Sequence, residues 1–88
     1  MTLADVCALR PGTRLRIVEC NGAAVPRALQ GRTVESVYAE ELVMRAADGR
    51  RMWLRVADAS AFRALADGFA LAEGNTVVVR YVLVGASS

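Results

Sequence analysis

Histidine and lysine are both absent from this 88-residue chain. Without them there is no side chain that ordinarily titrates near neutral pH, no imidazole metal ligand and no Schiff-base amine. Catalysis is not expected. The two cysteines, Cys7 and Cys20, form no CxxC pair and have no histidine to share a metal with, so they read as reduced, core-filling residues and no metal is expected. Neither a Walker loop nor GxGxxG occurs, which removes the usual nucleotide cradles. No apolar run approaches the roughly 20 residues of a membrane helix. Met1 to Asp5 lacks the basic, apolar, then small-residue order of a secretion signal. The expectation is a protein without cofactor or membrane span, addressed to the cytoplasm.

What charge there is comes from 11 basic residues, all arginine, against nine acidic ones, a net of +2. That is too little for a committed DNA binder. It is unevenly spread: residues 1–57 hold nine arginines and six acids, residues 58–88 two arginines and three acids. The length allows one domain, spanning 1–88, with one modest core.

The most legible stretch is Glu41 to Val56, two strands joined at Asp48-Gly49. A two-residue loop would mix charge into the apolar face. A three-residue loop of Ala47, Asp48 and Gly49, with Gly49 in the left-handed position, sorts the side chains instead. It pairs Leu42 with Leu54 and Met44 with Met52 on a core face that also takes Val56. The outward face then holds Glu41 opposite Arg55, Val43 opposite Trp53 and Arg45 opposite Arg51. Like charges directly across a ladder are unfavourable unless an anion or an acidic group sits beside them.

Around this hairpin the chain reads as short, consecutive strands. Thr2 can cap a helix over residues 3–9, ended by Arg10-Pro11-Gly12. Thr13 to Cys20 alternates as a strand until Val18, where the pattern suggests a bulge or burial on both sides, and Asn21-Gly22 is a turn. Residues 23–30, with Pro26, read as a loop or short helical turn, and Gly31 to Ala39 as a strand with Val34, Ser36 and Tyr38 on one face. Phe62, Leu65 and Ala66 recur at helical spacing, predicting a second helix over 59–67 with Asp58 or Ser60 as cap and Gly68 just past its end. A brief extended piece at 69–72 precedes the turn Glu73-Gly74-Asn75. Thr76 to Val84 is apolar on both faces apart from Arg80, as suits a strand buried on two sides or paired with another subunit. Its face of Val78, Arg80, Val82 and Val84 is the candidate oligomer interface. Residues 85–88 form a polar tail. The fold class is mainly β: a small antiparallel barrel of five or six strands with two short helices.

That layout resembles the SH3-like and Sm-like small barrels. Leu29-Gln30-Gly31, Val34-Glu35-Ser36 and the strand Leu42 to Met44 are similar to the second-strand region of Sm-like RNA-binding proteins, including the bacterial Hfq branch. Arg10-Pro11-Gly12-Thr13-Arg14, the strand opening at Gly31 and the closing Leu71 to Val79 resemble the layout of PilZ domains and of YcgR-type N-terminal domains. PilZ domains bind cyclic di-GMP through RxxxR and [DN]xSxxG. Arg10 and Arg14 fit the first motif, as do Arg51 and Arg55; Thr33 to Glu40 lacks the glycine of the second. The resemblance therefore implies a barrel that regulates by contact with proteins.

The candidate binding residues are Arg45, Arg51, Trp53 and Arg55, with Arg10 and Arg14. Alternating arginine and tryptophan can stack bases and hold phosphates. The same face can instead take a protein partner, or lie under the N-terminal helix with its arginines reaching past to water. The expected function is a non-enzymatic interaction or regulatory module with a protein partner, which includes a second copy of itself. RNA or an anionic nucleotide is the alternative.

Overall fold

In the computed structural model, residues 1–38, 41–56 and 60–84 are described. Ala39, Glu40, the Asp58 cap and the tail 85–88 lie outside them. Helix α1 (Leu3–Cys7) is followed by β1 (Arg14–Cys20), β2 (Ala23–Ala24), a 3-10 turn (Arg27–Leu29), β3 (Gly31–Val37), β4 (Glu41–Ala46), β5 (Arg51–Arg55), β6 (Phe62–Leu65), β7 (Gly68–Glu73) and β8 (Thr76–Leu83). The eight strands form one antiparallel sheet in the order β5-β4-β3-β1-β8-β7-β6, with β2 added to β1. The mainly β class is as expected. Among the described residues the count of five or six strands is corrected to eight, and β5 and β6 end the sheet unjoined to each other, so the barrel stays open.

Turn chemistry explains most of the local order. Asn21 (φ 51°) and Gly22 (φ 80°) make the two-residue loop between β1 and β2, both left-handed as a type I′ turn requires. Val18 sits at a bulge, where β1 shifts register against β8 between Ile17 and Glu19. Thr2 caps α1 through a reciprocal pair of bonds with Asp5 at 3.2 and 2.9 Å. Those bonds hold the Asp5 carboxyl below its ordinary pKa. The helix ends at Cys7, with Ala8 as its C-cap, rather than at 9.

One expected element changes type. Phe62 to Leu65 is not helical; it is β6, hairpinned onto β7 with Phe62 opposite Leu71 and Leu65 opposite Gly68. An isolated helix of that length is marginal in water. The strand pairing instead delivers Phe62 to a row of stacked rings, 5.7 Å from Phe69, which lies 5.2 Å from Tyr81. Gly68 is thus no helix terminator. It is where β7 presses on β8, in register with Val82.

The core lies on the inner side of the sheet, where Leu15, Ile17, Val34, Leu42, Met44, Phe69 and Tyr81 are joined by Val6 from α1 and Val56 just past β5. Burial pushes the Tyr81 phenol up to about 12. Two expected core residues are corrected. Cys7 is exposed, because α1 turns Val6 inward, and Met52 is 36% exposed at the open end of the sheet.

Candidate interaction face

The β4–β5 hairpin adopts the three-residue loop. Ala46 and Arg50 close it, Ala46 donating to Arg50 and Gly49 to Ala46, and Gly49 takes φ 88°. The register follows: Glu41 with Arg55, Leu42 with Leu54, Val43 with Trp53, Met44 with Met52, Arg45 with Arg51. Arg45 and Arg51 therefore do face each other on the outer side, and the charge problem they pose is solved from the neighbouring strand.

The solution is Glu35. β3 pairs Val34 with Met44 and then Ser36 with Val43, so Glu35 is the extra residue of a bulge. One position past the inward Val34, Glu35 stands on the outer face by ordinary strand alternation. Its Oε1 and Oε2 accept both Arg51 Nη2 and Nε at 3.0 and 2.9 Å, a two-bond grip, while Arg45 Nη2 donates to Oε1 at 3.0 Å. Bonds from Arg51 first, and Arg45 second, hold the Glu35 carboxyl below its ordinary value. The same contact raises Arg51 above its own.

The bulge shifts Tyr38 onto the outer side, against the simple alternation that placed it with Val34. Its ring stacks on Trp53 at 6.4 Å and 11° between planes. Neither ring is covered: Trp53 is 59% and Tyr38 57% exposed, so α1 does not lie over the tryptophan. Val43, between Ser36 and Trp53 in the ladder, is nearly buried beneath. Together with Glu35 and Arg51 these residues line a shallow depression of about 130 Å³.

The other candidates divide. Arg14 opens β1 in register with Thr33, which is itself in register with Arg45, so Arg14, Thr33, Arg45 and Arg51 form one row across four strands. Arg55 lies at the far end of β5, opposite Glu41. Arg10 is exposed in the turn between α1 and β1, apart from the row's ladder. The oligomer candidates fare differently. β8 is paired on one edge by β1 and on the other by β7, so it offers no edge to a second copy. Val82 is buried within the chain, Val78 is partly buried, Arg80 approaches Asp67 at 3.6 Å, and only Val84 is an exposed large apolar residue.

Glu35 and Tyr38 were not among the residues singled out from the sequence. The like-charged pair Arg45 and Arg51 called for an acid nearby; alternation puts Glu35 on the outer face of its strand, and the register of β3 on β4 brings it to them. Fold and face together define a small, open all-β barrel with an aromatic and ion-paired outer surface. No family model, curated protein or solved structure matches this chain. Among the described residues no helix is long and apolar enough to cross a membrane.

Proposed function

We propose that this chain is a non-enzymatic interaction module that binds a protein partner through the Trp53–Tyr38 face. One observation carries the reading: two large rings, Trp53 on β5 and Tyr38 just past the end of β3, stand stacked and exposed beside two arginines that share the Glu35 carboxylate. Exposed, rigid aromatic side chains are the usual anchors of protein interfaces. Arginines held by an internal carboxylate are less free to bind phosphate. A cytoplasmic setting is in keeping with the two free thiols, Cys7 and Cys20. Self-association would have to use a sheet face or an end strand, because both edges of β8 are taken.

A second reading, RNA or nucleotide binding, draws on the row of Arg14, Arg45 and Arg51 beside rings able to stack bases. Capture from a native lysate, with and without nuclease, separates the two when wild type is compared with Trp53→Ala. A protein partner is retained after nuclease and is lost from Trp53→Ala, by roughly 30-fold or more in affinity if the ring is a hot spot. RNA binding would disappear with nuclease and weaken steeply as salt rises. If Trp53→Ala and Arg51→Glu both bind every captured partner as wild type does, the face is structural and the proposal fails.

A further inference from the structure

β1 runs on past the start of β3. Arg16 is in register with Gly31, so Ile17 to Cys20 stand beside the 3-10 turn and the loop before it. Ile17 N–H donates to the Gln30 carbonyl at 2.9 Å, and Gln30 Nε2 donates to the Val25 carbonyl at 2.8 Å, which pins that turn across the end of the barrel. The result is a groove of about 560 Å³ that includes Met52, on the side of β5 opposite Trp53. Its apolar walls include Ile17, Cys20, Val25, Leu29 and Met52, of which Leu29 and Met52 remain substantially exposed. This volume is in the range of small-molecule sites, roughly 300–1,000 Å³.

One charged residue is set into that apolar wall. Arg32 lies opposite Leu15 on one side and Ala46 on the other, on the core-facing side of β3 that Val34 also occupies. Nη1 donates to the Leu29 and Gly31 carbonyls at 2.9 and 2.7 Å. Nε is buried with no acceptor, and among the described residues Nη2 has none either. The Nε–Nη2 edge, the side that a carboxylate grips with two parallel bonds, is thus unused. A buried donor without a partner is unfavourable, and an anion that meets Nη2 and displaces the atoms covering Nε would relieve it. The other charges on the groove, Asp48 and Arg50, pair with each other at 2.9 Å. The uncompensated charge is therefore that of Arg32.

We propose that this groove binds a small apolar carboxylate, its hydrocarbon body on Ile17, Val25, Leu29 and Met52 and its head group on Arg32. Burial of the chain supplies the attraction, and the guanidinium selects an anion over a neutral or cationic head. The test is an NMR titration of the full chain with decanoate below its micelle concentration, against decanol and decyltrimethylammonium. Decanoate should give saturable shifts centred on Ile17, Cys20, Leu29 and Met52, and should bind roughly tenfold or more tighter than either control. Arg32→Gln should cost decanoate a similar factor. Leu29→Asp alters only an exposed position and sets a like charge at the mouth; it should weaken decanoate even if the Arg32 variant folds poorly. Equal binding of all three amphiphiles, unchanged affinity in Leu29→Asp, or shifts centred on Trp53 would overturn the assignment. So would groove shifts that depend on protein concentration alone, which would mark a second copy as the occupant.

Discussion

Gly68→Ala should damage this protein more than any comparable addition of one methyl group. A Cβ at Gly68 would lie 1.9 Å from the Tyr81 carbonyl oxygen and 2.8 Å from Val82 Cα. Carbon and oxygen in close contact sit about 3.3 Å apart, so β7 and β8 would have to part by more than about 1 Å at this point. The parting falls on the pairs Gly68 with Val82 and Phe69 with Tyr81, two rungs that seat the ring stack in the core. Overpacking costs about 1–3 kcal/mol, and a weakened ladder bond about 1 kcal/mol more. The sum, about 2–4 kcal/mol, is a large share of the roughly 4–13 kcal/mol expected of a domain this size. It corresponds to a fall in melting temperature of about 10 °C or more. Gly31→Ala is the matched control. Its Cβ would meet only Ala47 Cβ, at an ordinary 3.9 Å. With less unfolded-state freedom to lose, it should stabilise by about 0.4–1 kcal/mol. Thermal unfolding followed by far-UV circular dichroism compares the two. If Gly68→Ala melts with the wild type, the close approach of β7 to β8 is wrong.

Three further outcomes are expected. Because the folded Glu35 carboxyl lies below its ordinary pKa of 4.5, it should be more than half ionised at pH 4.5, and the clamp on Arg45 and Arg51 should be lost as pH falls through the lowered value; carboxyl NMR shifts would show this, and Arg51→Gln should move the transition upward. Tyr81 works in the opposite sense: its folded pKa, about 12, is above the ordinary 10.0, so its contribution is complete below pH 10 and fades as pH rises towards 12. That contribution, roughly 2–3 kcal/mol, should be missing from the alkaline unfolding of Tyr81→Phe. Trp53, as the single tryptophan, should report its exposure through red-shifted emission readily quenched by acrylamide; blue, protected emission in the free protein would contradict the open face.

The residues of the hairpin specified their own arrangement almost completely. A turn that needs one left-handed residue and strands that alternate every second residue leave a single register that keeps Leu42, Met44 and Leu54 together, and all five observed pairs obey it. Asn21-Gly22 and the Thr2 cap were legible for the same reason: each is a local preference satisfied within a few residues. At Val18 the broken alternation left a bulge and two-sided burial open, and the register of β1 on β8 chose the bulge. Tertiary pairing decided the rest. Phe62 to Leu65 has helical spacing but becomes β6, because pairing with β7 brings Phe62 to the ring stack. Glu35 reaches Arg45 and Arg51 through the register of β3 on β4, and Tyr38 reaches Trp53 only through a one-residue bulge in β3 that no local pattern announced. Arg32 shares the inner side of β3 with Val34 by alternation, but that this side opens there onto a groove is a property of the whole sheet. Side-chain alternation can say which residues share a face; only the assembled sheet says what that face meets.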